Sequence, residues 1–135
     1  NIKDDDGKTS LMYSITEPYA DLIVFDELLK CENLDLNIKD NEGKTALILA
    51  TQFGEEDFIE SLLMKKADVN IQDNEGKTAL ILATQAGEID IVESLLMKKA
   101  DVNIKDNDGN KAENYINSIV DPVIREKLMY LFMDI

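Results

Sequence analysis

Two stretches of the chain carry the same run of apolar and polar positions. Residues 40–71 and 73–104 agree at all but four of 32 positions, the differences being Phe53/Ala86, Glu56/Ile89, Phe58/Ile91 and Ile59/Val92. In each stretch the apolar positions fall into two bursts. Ala79, Leu80, Leu82 and Ala83 give a first helix an apolar face, with small residues for close approach. Ile91, Val92, Leu95 and Leu96 follow the i, i+1, i+4, i+5 stripe of a second helix. Asp73-Asn74-Glu75-Gly76 is a turn signal, Thr78 a helix cap, and Gly87 a helix breaker. Helices of about two to three turns are marginal alone, so their stability has to come from stacking on the next copy.

The pattern extends in both directions. Gly43, Gly76 and Gly109 stand 33 residues apart. A weaker copy opens the chain at Asp4-Asp5-Asp6-Gly7-Lys8-Thr9, but Gly7 and Gly43 are 36 residues apart. The three extra residues are expected in loops, two near Glu17-Pro18-Tyr19-Ala20 and one in Cys31-Glu32-Asn33-Leu34. A worn copy closes the chain. Asp106-Asn107-Asp108-Gly109 keeps the turn, Asn110-Lys111-Ala112-Glu113 replaces the inner Lys-Thr-Ala-Leu, and Leu128 holds the place of Leu62 and Leu95. Wear at the ends suits a stack whose terminal units have one face in water. Asp121-Pro122 reads as the N-cap and first residue of a closing helix that buries Leu128, Leu131 and Phe132.

A 33-residue period with Gly-x-Thr-x-Leu, a small-residue first helix, Leu-Leu and then Ala-Asp-Val-Asn resembles the ankyrin repeat. The segments that carry the resemblance are Gly43-Lys44-Thr45-Ala46-Leu47, Leu62-Leu63, Ala67-Asp68-Val69-Asn70 and their equivalents from Gly76 to Asn103. The resemblance implies an all-α, helix-turn-helix solenoid with β-turn finger loops. It would be a single domain over 1–135 with four repeats at about 4–39, 40–72, 73–105 and 106–135. Asn1-Ile2-Lys3-Asp4 aligns with Asn37-Ile38-Lys39-Asp40, so the chain begins mid-repeat, and a further repeat or a leader is expected before it.

Two departures from the family pattern carry consequences. Thr-Pro-Leu-His becomes Thr45-Ala46-Leu47-Ile48 and Thr78-Ala79-Leu80-Ile81, and the chain has no His, so the turns need other hydrogen bonds. The Gly before Ala-Asp is Lys66 and Lys99, each costing about 1 kcal/mol if held at positive φ.

The resemblance also implies a protein-binding module that uses a concave face of turn tips and first helices. That face would comprise Asp5, Asp6, Lys8, Thr16 and Glu17 in the first copy, and Asn41, Glu42, Lys44, Gln52 and Phe53 in the second. The third would contribute Asn74, Glu75, Lys77, Gln85 and Ala86. Phe53 stands out, because it faces outward where its near-identical neighbour has Ala86, and aromatics concentrate interface energy. Its alternative role is to fold back over Phe58 or over the loop of the first copy.

Composition agrees. Hydrophobic residues make up 44% but aromatics only 6%, with no Trp, which suits packing on Leu, Ile, Val and Ala. The net charge of −14 disfavours nucleic acid and anionic membranes; it either keeps the surface solvated or steers the chain toward a protein partner with a basic surface. Residues 1–36 alone hold nine acids against three Lys, so the acidic contact patch is expected there. No apolar run is long enough to span a bilayer. Stacks with polar ends are usually self-contained, so a monomer is expected. A single cysteine, Cys31, excludes an intrachain disulfide. The residues do not fix the compartment; the cytoplasm is the expected one, and a secreted or periplasmic site is compatible.

Motifs for chemistry fail one by one. Gly-Lys-Thr at 43–45 and 76–78 lacks the phosphate loop's earlier glycine, where Ile38 and Ile71 stand. Asp106 and Asp108 suit a calcium loop, but Ile104 and Tyr115 occupy its first and last ligand positions. Cys31 has no His to activate it, and a His-based zinc site is excluded. The expectation is a non-enzymatic module without cofactor or metal. The alternative is a recognition module of a longer enzyme or effector chain whose catalytic part lies elsewhere.

Overall fold

The computed structural model describes residues 1–17 and 21–133. Seven α-helices and one 3-10 helix are present among them, with no strand. They run as α1 Ser10–Thr16, α2 Leu22–Leu29, α3 Ala46–Gln52, α4 Glu56–Met64, α5 Ala79–Ala86, α6 Ile89–Met97, the 3-10 helix Ala112–Ser118, and α7 Pro122–Met133. The helices pair in sequence, and the pairs stack: α1 packs on α3 and α3 on α5, with α2, α4, α6 and α7 forming a second layer. This is the all-α helix-turn-helix stack that the resemblance implied.

Local chemistry explains each boundary. Thr9, Thr45 and Thr78 are extended, and each hydroxyl accepts the N–H three residues on, from Met12, Ile48 and Ile81 at 3.2–3.4 Å. Gly87 ends α5 in the left-handed region at φ 73°. The fourth pair has Lys111 at the capping position. Lysine offers no oxygen to the first turn, and the segment tightens into a 3-10 helix there. Glu113 is exposed, while Ala112 and Ile116 hold the contact with α5. Asp121 caps α7 through Val123 N–H at 2.8 Å, and Leu128 is fully buried with Leu131 and Phe132 half-buried beside it.

The core is one continuous cluster of small and branched side chains running from Leu11 to Leu128. Phe25 and Phe58 meet edge to face within it, centroids 4.6 Å apart, which joins α2 to α4. The apolar faces differ in one detail from the periodicity. Ile48 and Ile81 are buried, whereas Leu82 is half-exposed. The position where the family has His is thus filled by an apolar side chain.

The turns are stabilised instead by their leading aspartates. The Asp40 carboxylate accepts the N–H groups of Glu42 and Lys44, both at 2.9 Å; Asp73 does the same for Glu75 and Lys77, and Asp106 for Asp108 and Asn110. Among the described residues no buried side-chain polar atom lacks a partner.

Two asparagine ladders tie successive units. In the fingers, the side-chain amides of Asn41, Asn74 and Asn107 donate to the carbonyls of Asp5, Asn41 and Asn74 at 2.8–3.0 Å. Their backbone N–H groups donate to Asp6, Glu42 and Glu75. At the opposite loops, Asn1, Asn37 and Asn70 accept from the N–H of Asp35, Asp68 and Asp101. The fingers approach so closely that a Cβ on Gly76 would lie 2.5 Å from Asn107 Oδ1.

The structure corrects the placement of the extra residues. Thr9 and Thr45, which cap equivalent helices, are 36 residues apart. The stacked Phe25 and Phe58 are 33 apart, as are Asn33 and Lys66, both in the left-handed region. Val24, which a later insertion would have put in the core, is 51% exposed. All three additions therefore precede Phe25, and none lies in Cys31–Leu34. Pro18-Tyr19-Ala20, where two were expected, lie outside the described residues. Lys66 and Lys99 do adopt positive φ, 62° each.

Candidate partner-binding face

The fingers and the C-terminal ends of α1 and α3 enclose a groove of about 570 Å³. Lys8, Thr16 and Glu17 of the first unit line it together with Glu42, Lys44, Gln52 and Phe53 of the second. Seven of the residues expected on the concave face thus converge on one concavity. Tyr13, Asp40 and Leu49 complete it, and the sequence reading missed them. Leu49 could have been found, since it stands four residues before Phe53 and shares its helix face.

Phe53 closes α3 as its C-cap residue, and its ring is 57% exposed. It does not fold over Phe58, which is buried against Phe25. In the third unit Ala86 occupies the matching place without a ring, and Gln85 is half-buried beside it. Asn74, Glu75, Lys77, Gln85 and Ala86 lie outside the groove, on the next finger and at the end of α5. Asp5, Asp6 and Asn41 sit at the exposed finger tips and do not line it either. The side-chain amides of Asn41 and Asn74 are engaged in the finger ladder.

The cations of the face are committed to neighbours. Lys44 pairs with Glu42 at 2.5 Å and Lys77 with Glu75 at 3.3 Å, with the lysine side chains largely covered and the glutamates open. The Lys44 ammonium holds the Glu42 carboxyl below its usual range. Lys8 lies over the Tyr13 ring, 5.5 Å from its centroid. The acids of the first unit have few such partners, so Asp5, Asp6 and Glu17 present an acidic rim.

Tyr13 also donates its hydroxyl to Asp4, which accepts the N–H groups of Asp6 and Lys8 as well. The Tyr13 bond, then the Lys8 N–H, lower the Asp4 pKa, and the same bond pushes the Tyr13 phenol up to about 12. Tyr115 and Asp106 repeat this pairing in the last unit. Burial pushes Asp106 up, but the hydrogen bonds from Tyr115, Asn110 and Asp108 outweigh it and leave its pKa lowered.

Among the described residues no three His, Cys, Asp or Glu side chains gather as a metal site would require, and no helix is long and apolar enough to cross a membrane. What the face offers is an exposed aromatic residue, an acidic rim and a partly buried floor.

Comparison with known proteins decides the family. A family model described as ankyrin repeats (three copies) matches residues 1–73 and 20–106. The chain belongs to the ankyrin repeat family. Ankyrin repeats are protein-interaction modules. Among curated relatives it is similar to Rabankyrin-5 of Mus musculus, 47% identical over 53 residues, and of Homo sapiens, 48% identical over 52. These matches cover 39% and 38% of this chain but only 4% of each relative, so the chain corresponds to a small part of their length.

Proposed function

We propose that this ankyrin stack binds a protein partner in the groove between its first two units, without chemistry of its own, and that the bound surface is basic. The observation that carries the reading is Phe53. An aromatic residue more than half exposed, at a helix end and beside a concavity, has the form of an interface anchor. Asp5, Asp6 and Glu17 supply the rim that attracts cations to it. The absence of His from the chain and the isolation of Cys31 from any such base support the non-catalytic part. A monomeric stack of four repeats is sufficient for this role.

Affinity capture with the intact protein and with Phe53→Ala, followed by calorimetry on the partner recovered, tests the placement. Truncation should weaken binding by about 1–3 kcal/mol with the thermal midpoint nearly unchanged. Full affinity in Phe53→Ala, retained when Asp5, Asp6 and Glu17 are also neutralised, would refute it. A second reading, a recognition module serving a catalytic part on a longer chain, draws support from the much greater length of the relatives.

A further inference from the structure

The opposite edge of the stack carries a feature of contrary sign. At the ends of α4 and α6 the chain reads Met64-Lys65-Lys66 and Met97-Lys98-Lys99. All four lysines are exposed, and none is in an ion pair among the described residues. Both methionines are 76% exposed. The two loops are neighbours, because Asn70 between them accepts the N–H of Asp101 just beyond the second triplet. The four lysines outnumber Asp68 and Asp101, the exposed acids of the same loops, so in a chain of net charge −14 this is a basic and apolar stripe.

The backbone marks the same residues. Lys66 and Lys99 lie at φ 62°, a region that glycine occupies without strain and asparagine tolerates. The first unit uses Asn33 there, and its triplet, Cys31-Glu32-Asn33, carries no cation. The inner units thus keep a long cationic side chain at a position where the fold alone favours a smaller residue. Strain held at an exposed loop without a structural return points to a binding role.

Beside Lys99 the surface opens into a groove of about 540 Å³ between α6 and α7. Its walls are mostly apolar, from Leu96, Met97, Val102 and Leu131, with Ala100 as the floor and Glu93 on the rim. A flat charged surface could meet the lysines but could not enter this concavity. A peptide can satisfy both, with an apolar side chain in the groove and carboxylates on the ammonium groups. We infer that the Met-Lys-Lys stripe and the α6–α7 groove form a second docking surface, for an acidic peptide segment that carries a bulky apolar residue. This surface is separate from the finger groove and selects partners of opposite charge.

The test uses the intact chain and a short labelled Glu-rich peptide with a central Leu-Leu pair, its Lys-rich counterpart, and vesicles of phosphatidylserine and phosphatidylcholine. The acidic peptide should bind and the Lys-rich one should not, with affinity falling as salt rises. Lys66→Gly with Lys99→Gly should weaken binding roughly tenfold while raising thermal stability, which separates the role of the side chains from that of the fold. Met97→Ala should weaken it further, and Phe53→Ala should leave it unchanged. Equal binding of both peptides, or full affinity in the double glycine variant, would overturn the inference. So would vesicle binding without peptide binding, which would reassign the stripe to a lipid surface.

Discussion

The inner units and the outer units meet the same turn problem with different side chains. Where the inner helices carry Leu49 and Leu82, the outer ones carry Tyr13 and Tyr115, and each tyrosine hydroxyl donates to the aspartate that leads its own finger. An inner unit is pressed on both sides, so an apolar side chain suffices. In the first and last units of this chain a polar strap from helix to finger takes the place of that apolar side chain. The lysine loops divide the same way, with Lys66 and Lys99 inside and Asn33 outside. The two middle units therefore hold the strained lysines and the apolar side chains, and the first and last hold the local hydrogen bonds.

That contrast can be broken from its strongest point downward. Leu95, fully buried in the third unit, should cost about 2–5 kcal/mol when cut to Ala, whereas Leu29 in the first unit should fall at the low end of that range. Equal losses by chemical denaturation would show that the first unit is supported as well as the inner ones.

Glycine gives a sharper pair. Gly76 and Gly109 share a left-handed turn, at φ 76° and 82°. A Cβ on Gly76 would collide with Asn107, while one on Gly109 meets nothing within 4 Å. Gly109→Ala should cost about 1 kcal/mol and Gly76→Ala about 2–4 kcal/mol, the excess measuring the finger contact alone.

Lys99→Gly should raise stability by about 1 kcal/mol, and Asn33→Gly by only a few tenths, since asparagine already tolerates the left-handed region. Identical gains in thermal denaturation would remove the distinction between inner and outer loops.

The smallest effect is in titration. The folded Asp4 pKa is depressed, so its contribution is present above the ordinary carboxylate range and is lost as pH falls through the folded value. The Tyr13 phenol is raised to about 12, so its contribution is complete below its ordinary value of 10.0 and is lost as pH rises through about 12. Ultraviolet titration of the folded protein should show the Tyr13 phenol ionising near 12, with Tyr115 also raised, and Asp4→Asn should return only Tyr13 toward 10.0. An unchanged titration would mean that the strap does not form.

Much of this was legible beforehand, for identifiable reasons. The caps at Thr45 and Thr78, the break at Gly87 and the start at Asp121-Pro122 follow from local backbone chemistry, which a sequence exposes directly. The insertion point in the first unit was misplaced because Leu28-Leu29 imitates Leu62-Leu63; only packing reveals that Phe25 and Leu29 are the buried pair. The groove was half legible. Phe53 and Glu17 follow from the resemblance, while Leu49 is buried and Tyr13 half-buried, so both look like core residues although they line the groove. The finger residues Asn41 and Asn74 looked like contacts because exposure and donor chemistry suit both uses, and no sequence rule tells a side chain bound to the next finger from one facing a partner.

The finger ladder has a consequence for how such a chain can change length. Every junction joins an asparagine amide and its N–H to backbone carbonyls of the unit before it, whatever side chains those carbonyls carry. The acceptors at Asp5, Asn41 and Asn74 differ in sequence position but not in chemistry. A copy inserted or removed as a whole 33-residue block at Asp73 would find the same donors and acceptors waiting on either side. Such a block would extend or shorten the row of fingers by one fixed step without altering the chemistry of any junction.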